Sequence, residues 1–224
     1  MKHISFGLIL GVLFSACIGD DFIDDFVEPT LDITNPIDSI EIGSSYQFEF
    51  RYLNNVGLSE SITPQWTSSD PSIASISDQG LLEAIDFGTA SIIASYTSPD
   101  GSIEDTLIIH VANSTQIVTS DQREGTIQTT SSYLLEGSFT MEQDEDNLVI
   151  NINSDYRAST SLPGFYLYLT NNPNSIVDAL EVSKITIFNG AHEYIVEDQD
   201  INDYDYLLFY CKPFNIKVGE GIID

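Results

Sequence analysis

The sequence has little cysteine, little positive charge and no long apolar run. Its 224 residues contain 2 Cys, 1 Trp and 7 Lys+Arg against 35 Asp+Glu, which gives a formal net charge of −28. Nucleic-acid binding is excluded, because phosphate recognition needs clustered Lys and Arg. Taken over the whole chain, this charge also opposes adhesion to anionic lipid surfaces. The two cysteines, Cys17 and Cys211, lie near opposite ends of the chain.

The motifs of common enzymes are missing as well. His110 and His192 have no Cys or His close in sequence, so zinc spacing is absent. The sequence contains no Gly-x-Ser-x-Gly, P-loop or dinucleotide fingerprint. Carboxylates are too plentiful for two of them to be singled out as a glycosidase pair. No enzymatic reaction can therefore be argued from the sequence, which favours a non-enzymatic protein without deciding the question and leaves any cofactor undefined.

The N-terminus has the layout of a secretory signal. A short basic start precedes the apolar run "ISFGLILGVLF", which is too short to span a bilayer, and two small residues then precede Cys17. This layout resembles a bacterial lipobox, although Phe14 stands where Leu is usual. The resemblance implies that residues 1–16 are removed and that Cys17 takes a diacylglycerol, which anchors the protein to a membrane. Ordinary signal-peptidase cleavage, with Cys17 as a bystander, is the alternative.

Residues 17–36 are predicted to be an acidic tether. Their sequence "IGDDFIDDFVEPT" resembles the acidic export signal that follows the lipidated cysteine in surface-exposed lipoproteins of Bacteroidetes. The resemblance implies an outer-membrane lipoprotein of the bacterial cell envelope, exposed at the cell surface and attached to the membrane through its lipid. A solvated, flexible spacer that carries no export signal is the alternative.

The remaining chain, about 190 residues, suits two domains. We predict one over residues 37–112, a linker over 113–123 and a second domain over 124–224. The candidate strands of the first are residues 39–42, 46–53, 64–67, 73–76, 81–84, 88–96 and 103–111, and those of the second are 131–143, 147–153, 164–170, 183–196, 204–211 and 214–223. Period-2 alternation and scarce helix signals predict an all-β fold: an Ig-like β-sandwich followed by a second antiparallel β-sandwich or barrel-like domain.

The stretch "WTSSDPSIASISDQGLLEAIDFGTASIIASY", residues 66–96, resembles the group 2 bacterial Ig-like domain. The matching features are the Trp-Ser-Ser-like motif at Trp66, the pair Asp70-Pro71, the turn at Gly80 and the strand that begins with "GTA". The resemblance implies a spacer or adhesion module without a catalytic role. Trp66 is expected in the core, because such sandwiches are built around a buried Trp. Gly80 can supply a positive φ in its turn.

The second half is similar to the DM-thirteen domain, first described in Skeletor proteins. The similarity lies in "GSF" (residues 137–139), "FYLYL" (165–169), "GAHEY" (190–194) and the ending "YLLFYCKPFNI" (206–216). In that family the cysteine equivalent to Cys211 has been proposed to serve redox chemistry, because the domain occurs beside cytochrome-type domains. The resemblance implies a redox or electron-transfer accessory module with a redox partner protein.

The residues themselves leave a second function open for Cys211. Alternation along its strand predicts that Phe209 and Cys211 share the core face, with Tyr210 and Lys212 on the opposite face. A buried thiol behaves as a small hydrophobe, whereas a reactive one needs exposure and a nearby positive charge. The alternative is therefore a non-catalytic surface adhesion or ligand-binding module in which Cys211 is structural.

The loop "EDQDINDYDY" is dense in carboxylates. Its candidate calcium ligands are Asp198, Asp200, Asn202, Asp203 and Asp205. The loop lacks the Gly and Glu that an EF-hand needs at its sixth and twelfth positions. A solvated acidic loop is the alternative.

Overall fold

The structure is a computed structural model, and it describes residues 25–98, 101–118 and 122–224. Over these ranges the regular secondary structure is β-strand, apart from one 3₁₀ turn and without any α-helix, which confirms the all-β fold class. The first strands are β1 (Thr30–Ile33), β2 (Ile37–Glu41), β3 (Ser45–Gln47), β4 (Phe50–Leu53), β5 (Gln65–Ser68), β6 (Ala74–Ile76), β7 (Leu81–Ala84), β8 (Gly88–Ser98), β9 (Gly101–Ala112) and β10 (Gln116–Ile117). They are followed by β11 (Gln122–Thr129), β12 (Leu135–Asp144), β13 (Asn147–Ile152), β14 (Arg157–Ala158), β15 (Phe165–Thr170), β16 (Leu180–Lys184), β17 (His192–Glu197), β18 (Tyr206–Cys211) and β19 (Ile216–Ile222). No helix among the described residues is long and apolar enough to cross a membrane.

Strands β1 to β10 form the first unit. The larger sheet has the order β10-β2-β9-β8-β5, and the smaller sheets are β3-β7-β6 and β1-β4. Strands β2 and β9 run parallel, and the other pairings in these sheets are antiparallel. Buried side chains from all three sheets meet in one core, as a sandwich requires.

The first unit reaches into both ranges that the sequence assigned to connections. Strand β1 lies within the predicted tether, pairs with β4, and contributes Leu31 and Ile33 to the core. Strand β10 lies within the predicted linker and pairs with β2. Strand β11 begins at Gln122, so it overlaps the end of that linker. These short strands lack an apolar run, because β1 and β11 bury only alternate residues and both residues of β10 are exposed.

The prediction of one strand over residues 46–53 is wrong. This run divides into β3 and β4, which belong to different sheets. The side chain of Asn35 occupies the break. Its Nδ2 donates to the carbonyl of Gln47 at 2.9 Å, and its Oδ1 accepts from the amide of Glu49 at 2.7 Å. The amide of Phe48 donates to the carbonyl of Gly80 at 2.9 Å. The side chain of Asn35 thus replaces the backbone hydrogen bonds that a continuous strand would make here.

Trp66 lies in the core of the first unit, as predicted, with 6% of its surface exposed. Its ring stacks on Phe48 with centroids 5.8 Å apart. Gly80 adopts φ +80°, and a Cβ placed there would lie 3.0 Å from the Trp66 ring. The predicted positive φ of Gly80 is therefore confirmed, and close approach to the Trp ring is a second reason for glycine at this turn.

The second unit is one curved sheet of order β16-β15-β18-β19-β11-β12-β13-β17, with β14 paired to β12. Its end strands β16 and β17 approach each other, so the sheet nearly closes into a barrel. The inward side chains form the larger core, and a small cluster around Tyr168, Leu208 and Tyr210 covers the outer side of β15 and β18.

Two strand predictions in the second unit need correction. The run over residues 183–196 divides into β16 and β17, because residues 185–191 leave the ladder. In the final run Phe214, Ile216 and Val218 alternate with Asn215, Lys217 and Gly219, a pattern that predicts one core face, but of these three only Val218 is in the core. Phe214 belongs instead to a 3₁₀ turn that contains Pro213 and ends at Asn215 with φ 52°. The turn and a bulge in the β18 and β19 pairing displace the expected alternation.

Candidate functional site

Cys211 is a free thiol with 0% of its surface exposed. It ends β18 opposite Phe165 of β15, and it belongs to the same inner cluster as Phe165 and Phe209. Tyr210 belongs to the outer cluster. The predicted separation of Phe209 and Cys211 from Tyr210 is therefore confirmed. The thiol lies among apolar side chains.

The nearest cation in sequence, Lys212, lies on the other side of the sheet, as alternation predicted. Its Nζ lies 4.2 Å from the centre of the Tyr166 ring and 5.8 Å from that of Tyr168. It forms an ion pair with Glu181, and this hydrogen bond raises the pKa of Lys212. The positive charge that would stabilise a thiolate at Cys211 is thus engaged elsewhere.

The five candidate calcium ligands are not grouped as one cation site, although Asp198, Asp200 and Asp203 line one open cleft. Asp200 Oδ1 accepts from the amide of Asn202 at 2.8 Å, and Asp203 Oδ2 accepts from the amide of Asp200 at 2.9 Å. Asp205 points to the first unit, while Asp198 has φ 55° in a turn. Within the described ranges no three His, Cys, Asp or Glu side chains are grouped to hold a metal ion. The loop carboxylates are used to fold the loop itself.

The junction between the two units is built around Arg51, which sequence reasoning missed. Its Nη2 donates to Asp205 Oδ1 at 3.0 Å and to Asp32 Oδ2 at 3.4 Å, and its Nη1 donates to the carbonyl of Asn202 at 2.6 Å. Only 18% of the Arg51 side chain is exposed. Its Nε is buried without a hydrogen-bond partner in the described part of the chain. One side chain of β4 thereby holds the acidic loop of the second unit.

A second arginine lines the same junction. Arg123 donates to the carbonyls of Ile201, Tyr204 and Ile223 at 3.3, 3.2 and 2.6 Å. Burial lowers its pKa, and the charge of Arg51 lowers it further, although nearby carboxylates oppose this. The two guanidinium groups face a cleft of about 320 Å³ that Asp32, Thr34, Pro36, Val118, Asn202, Asp205 and Asp224 also line.

The start of the described chain also meets the second unit. Asn172 is 5% exposed, and its Nδ2 donates to the carbonyl of Asp25 at 2.6 Å and to that of Val56 at 3.1 Å. A Cβ at Gly57 would lie 2.6 Å from the carbonyl oxygen of Asn171, so the two backbones are in direct contact. A groove of about 420 Å³ opens beside this contact, lined by Val27, Glu28, Leu53, Asn174, Tyr206, Lys217, Glu220 and Ile222 among others.

His110 and His192 lie on different units, on β9 and β17, and make separate hydrogen bonds. His110 Nδ1 lies 3.0 Å from the hydroxyl of Thr89. His192 Nδ1 donates to the carbonyl of Gly190 at 2.9 Å, and its Nε2 lies 3.2 Å from the Tyr194 hydroxyl. Burial raises the pKa of Tyr194 to about 12.

Comparisons with known proteins give no family for this chain. No family model matches it, and no curated protein is similar to it. The predicted lipidation residue, Cys17, lies outside the described residues, as does most of the acidic export segment. The candidate site therefore rests on the junction and on the surroundings of Cys211.

Proposed function

We propose that this protein is a lipid-anchored, surface-exposed protein of the bacterial outer membrane, in which two joined β-units form a non-catalytic adhesion or ligand-binding module. In this proposal Cys17 carries the lipid, the first unit is an Ig-like module, and Cys211 is structural.

The observation that supports this choice is the burial of Cys211. Redox exchange requires a thiolate that a partner can reach, and a nearby positive charge lowers the thiol pKa. Cys211 is fully buried among apolar side chains, and Lys212 is on the opposite side of the sheet. Both features favour packing over electron transfer.

The clefts at the junction favour ligand binding over redox electron transfer as the function. Two clefts of about 320 and 420 Å³ lie where the units meet, and binding sites commonly occur between domains. The cleft at Arg51 and Arg123 offers guanidinium groups beside carboxylates, so a ligand that carries both acidic and hydroxyl groups would find donors and acceptors there.

Thiol labelling tests the role of Cys211. The Cys17→Ser protein is treated with a thiol reagent in the native state and again in denaturant. We expect no labelling before unfolding and one thiol per chain afterwards. Rapid labelling of the native protein would contradict the structural role and favour the redox function.

Lipidation is tested separately. Bacteria that express the full chain are fed radioactive palmitate, and we expect label on the protein and none on the Cys17→Ala variant. Label on neither would mean that Cys17 is a bystander, whatever the behaviour of Cys211.

A further inference from the structure

Three of the six Lys and Arg residues in the described ranges lie on one face of the second unit. The described residues contain three lysines, Lys184, Lys212 and Lys217, and all three are on that unit. Cross-strand pairing places Lys184, Tyr166, Tyr210 and Lys217 directly opposite one another on β16, β15, β18 and β19. Lys212 Nζ lies over the ring of Tyr166. We name these five residues the lysine–tyrosine face.

This face is partly open to solvent and carries exposed apolar surface at its edge. Lys184 and Lys212 are exposed, and Tyr166 is partly exposed. The 3₁₀ turn that carries Lys212 also carries Phe214, which is 51% exposed. Tyrosine, lysine with a long apolar stem, and a protruding aromatic ring are the residues that stabilise a protein at a membrane–water interface.

The local charge of the face differs from that of the whole chain. Glu181 pairs with Lys212, and Glu220 pairs with Lys217 at 2.6 Å. Lys184 has no ion pair among the described residues, whereas Lys212 and Lys217 are each paired, and Glu28 and Asp205 line the groove beside Lys217. Because salt screens charges over a distance of about 8 Å, carboxylates farther than this from the face repel a phosphate-bearing surface only weakly.

The position of the chain start brings this face near the anchor. Asn174 Nδ2 donates to the carbonyl of Phe26 at 3.3 Å, and Asn174 Oδ1 lies 3.4 Å from Lys217 Nζ. The stretch from Cys17 to Asp25 can span at most about 28 Å when fully extended. A lipid on Cys17 would thus keep the face within reach of the headgroups.

We propose that the lysine–tyrosine face, together with Phe214, is a membrane-contact surface that lies on the headgroups of the bilayer holding the anchor. The proposal rests on the lipidation of Cys17. The lysines contact headgroup phosphates, and Phe214 enters the boundary with the acyl chains. Since the anchor already supplies a high local concentration, these few contacts need only orient the protein.

Tryptophan quenching on vesicles tests the contact without depending on natural lipidation. The chain from residue 18, with an N-terminal hexahistidine, is captured on vesicles of phosphatidylethanolamine, phosphatidylglycerol and a nickel-chelating lipid. Phe214→Trp is compared with Ile195→Trp on β17, which replaces a side chain of similar exposure, 60%. With brominated lipids we expect severalfold stronger quenching for Phe214→Trp. Trp66 is buried and contributes the same background to both.

Charge neutralisation tests the lysines. We expect affinity for the same vesicles without the nickel lipid to fall about fivefold for each of Lys184→Gln, Lys212→Gln and Lys217→Gln. Arg157→Gln removes one positive charge from an exposed position on β14 and should leave the affinity unchanged. Circular dichroism checks that each variant is folded.

Two results would overturn the proposal. Equal quenching at both tryptophan positions would mean that the face does not meet the bilayer. Binding of soluble heparin that the lysine variants lose, without quenching on vesicles, would assign the face to an anionic polysaccharide. A failure of palmitate labelling would instead remove the anchor, while the quenching experiment would still report on the face.

Discussion

Replacing Arg51 by Met should loosen the junction between the two units. The substitution keeps most of the apolar stem and removes the guanidinium, so Asp205 loses a charged donor and the carbonyl of Asn202 loses its hydrogen bond. A hydrogen bond to a charged group contributes about 1.5–3 kcal/mol when buried, and an exposed ion pair about 0–1 kcal/mol. Asp205 is 25% exposed and Asp32 is 48% exposed. We therefore expect a loss of about 2 kcal/mol, mostly from Asp205 and Asn202.

The assay is urea unfolding followed by Trp66 fluorescence for the first unit and by far-ultraviolet circular dichroism for both. In the native protein the two signals should change together, whereas in Arg51→Met the Trp66 transition should move to lower urea. Arg157→Met is the matched control, because Arg157 lies 3.9 Å from Glu136 and is 66% exposed. It should cost no more than about 0.5 kcal/mol. Equal losses for both variants would refute the assignment of Arg51 to the junction.

Four further outcomes follow from the cores. Gly80→Ala should cost about 1–3 kcal/mol, measured by urea unfolding, because its Cβ meets the Trp66 ring at φ +80°. Tyr156→Phe should leave stability unchanged or raise it by up to about 1 kcal/mol, because its buried hydroxyl has no partner among the described residues. Cys211→Ser should cost about 1–3 kcal/mol, since it places a hydroxyl among apolar side chains. Between pH 10 and about 12 the folded state holds the Tyr194 proton more tightly than the unfolded chain does, so stability should fall across that window and less steeply in Tyr194→Phe.

Features that depend on local periodicity could be predicted from the sequence. The two-residue repeat of β18 separates Cys211 from Lys212, and this decides the interpretation of the thiol more than any other observation. The turn at Gly80 and the burial of Trp66 could also be predicted, because both depend on residues within one short stretch. Such features need no knowledge of how distant strands pair.

Features that depend on long-range pairing could not be predicted. Arg51 and Asp205 are 154 residues apart in sequence, and in an acidic chain many carboxylates could have been the partner. Asn35 interrupts an otherwise regular alternation that contains no breaking residue of its own. The row of Lys184, Tyr166 and Lys217 exists only because β16, β15, β18 and β19 are neighbours in the sheet. Sequence order gives no sheet order for such strands.

The contact of Asp25 with the second unit bears on whether the first unit acts as a spacer. Sequence order places the tether, the Ig-like unit and the second unit in succession, and this suggests a distal second unit. However, Asn172 of the second unit binds the carbonyls of both Asp25 and Val56, so the chain enters where the two units meet. The first unit therefore does not separate the second from Asp25, the first described residue of the predicted tether. The proposed ligand site at the junction and the proposed membrane contact on β15 and β18 then lie on one joined body, and under that proposal the orientation of the body at the membrane determines which cleft is open to a ligand.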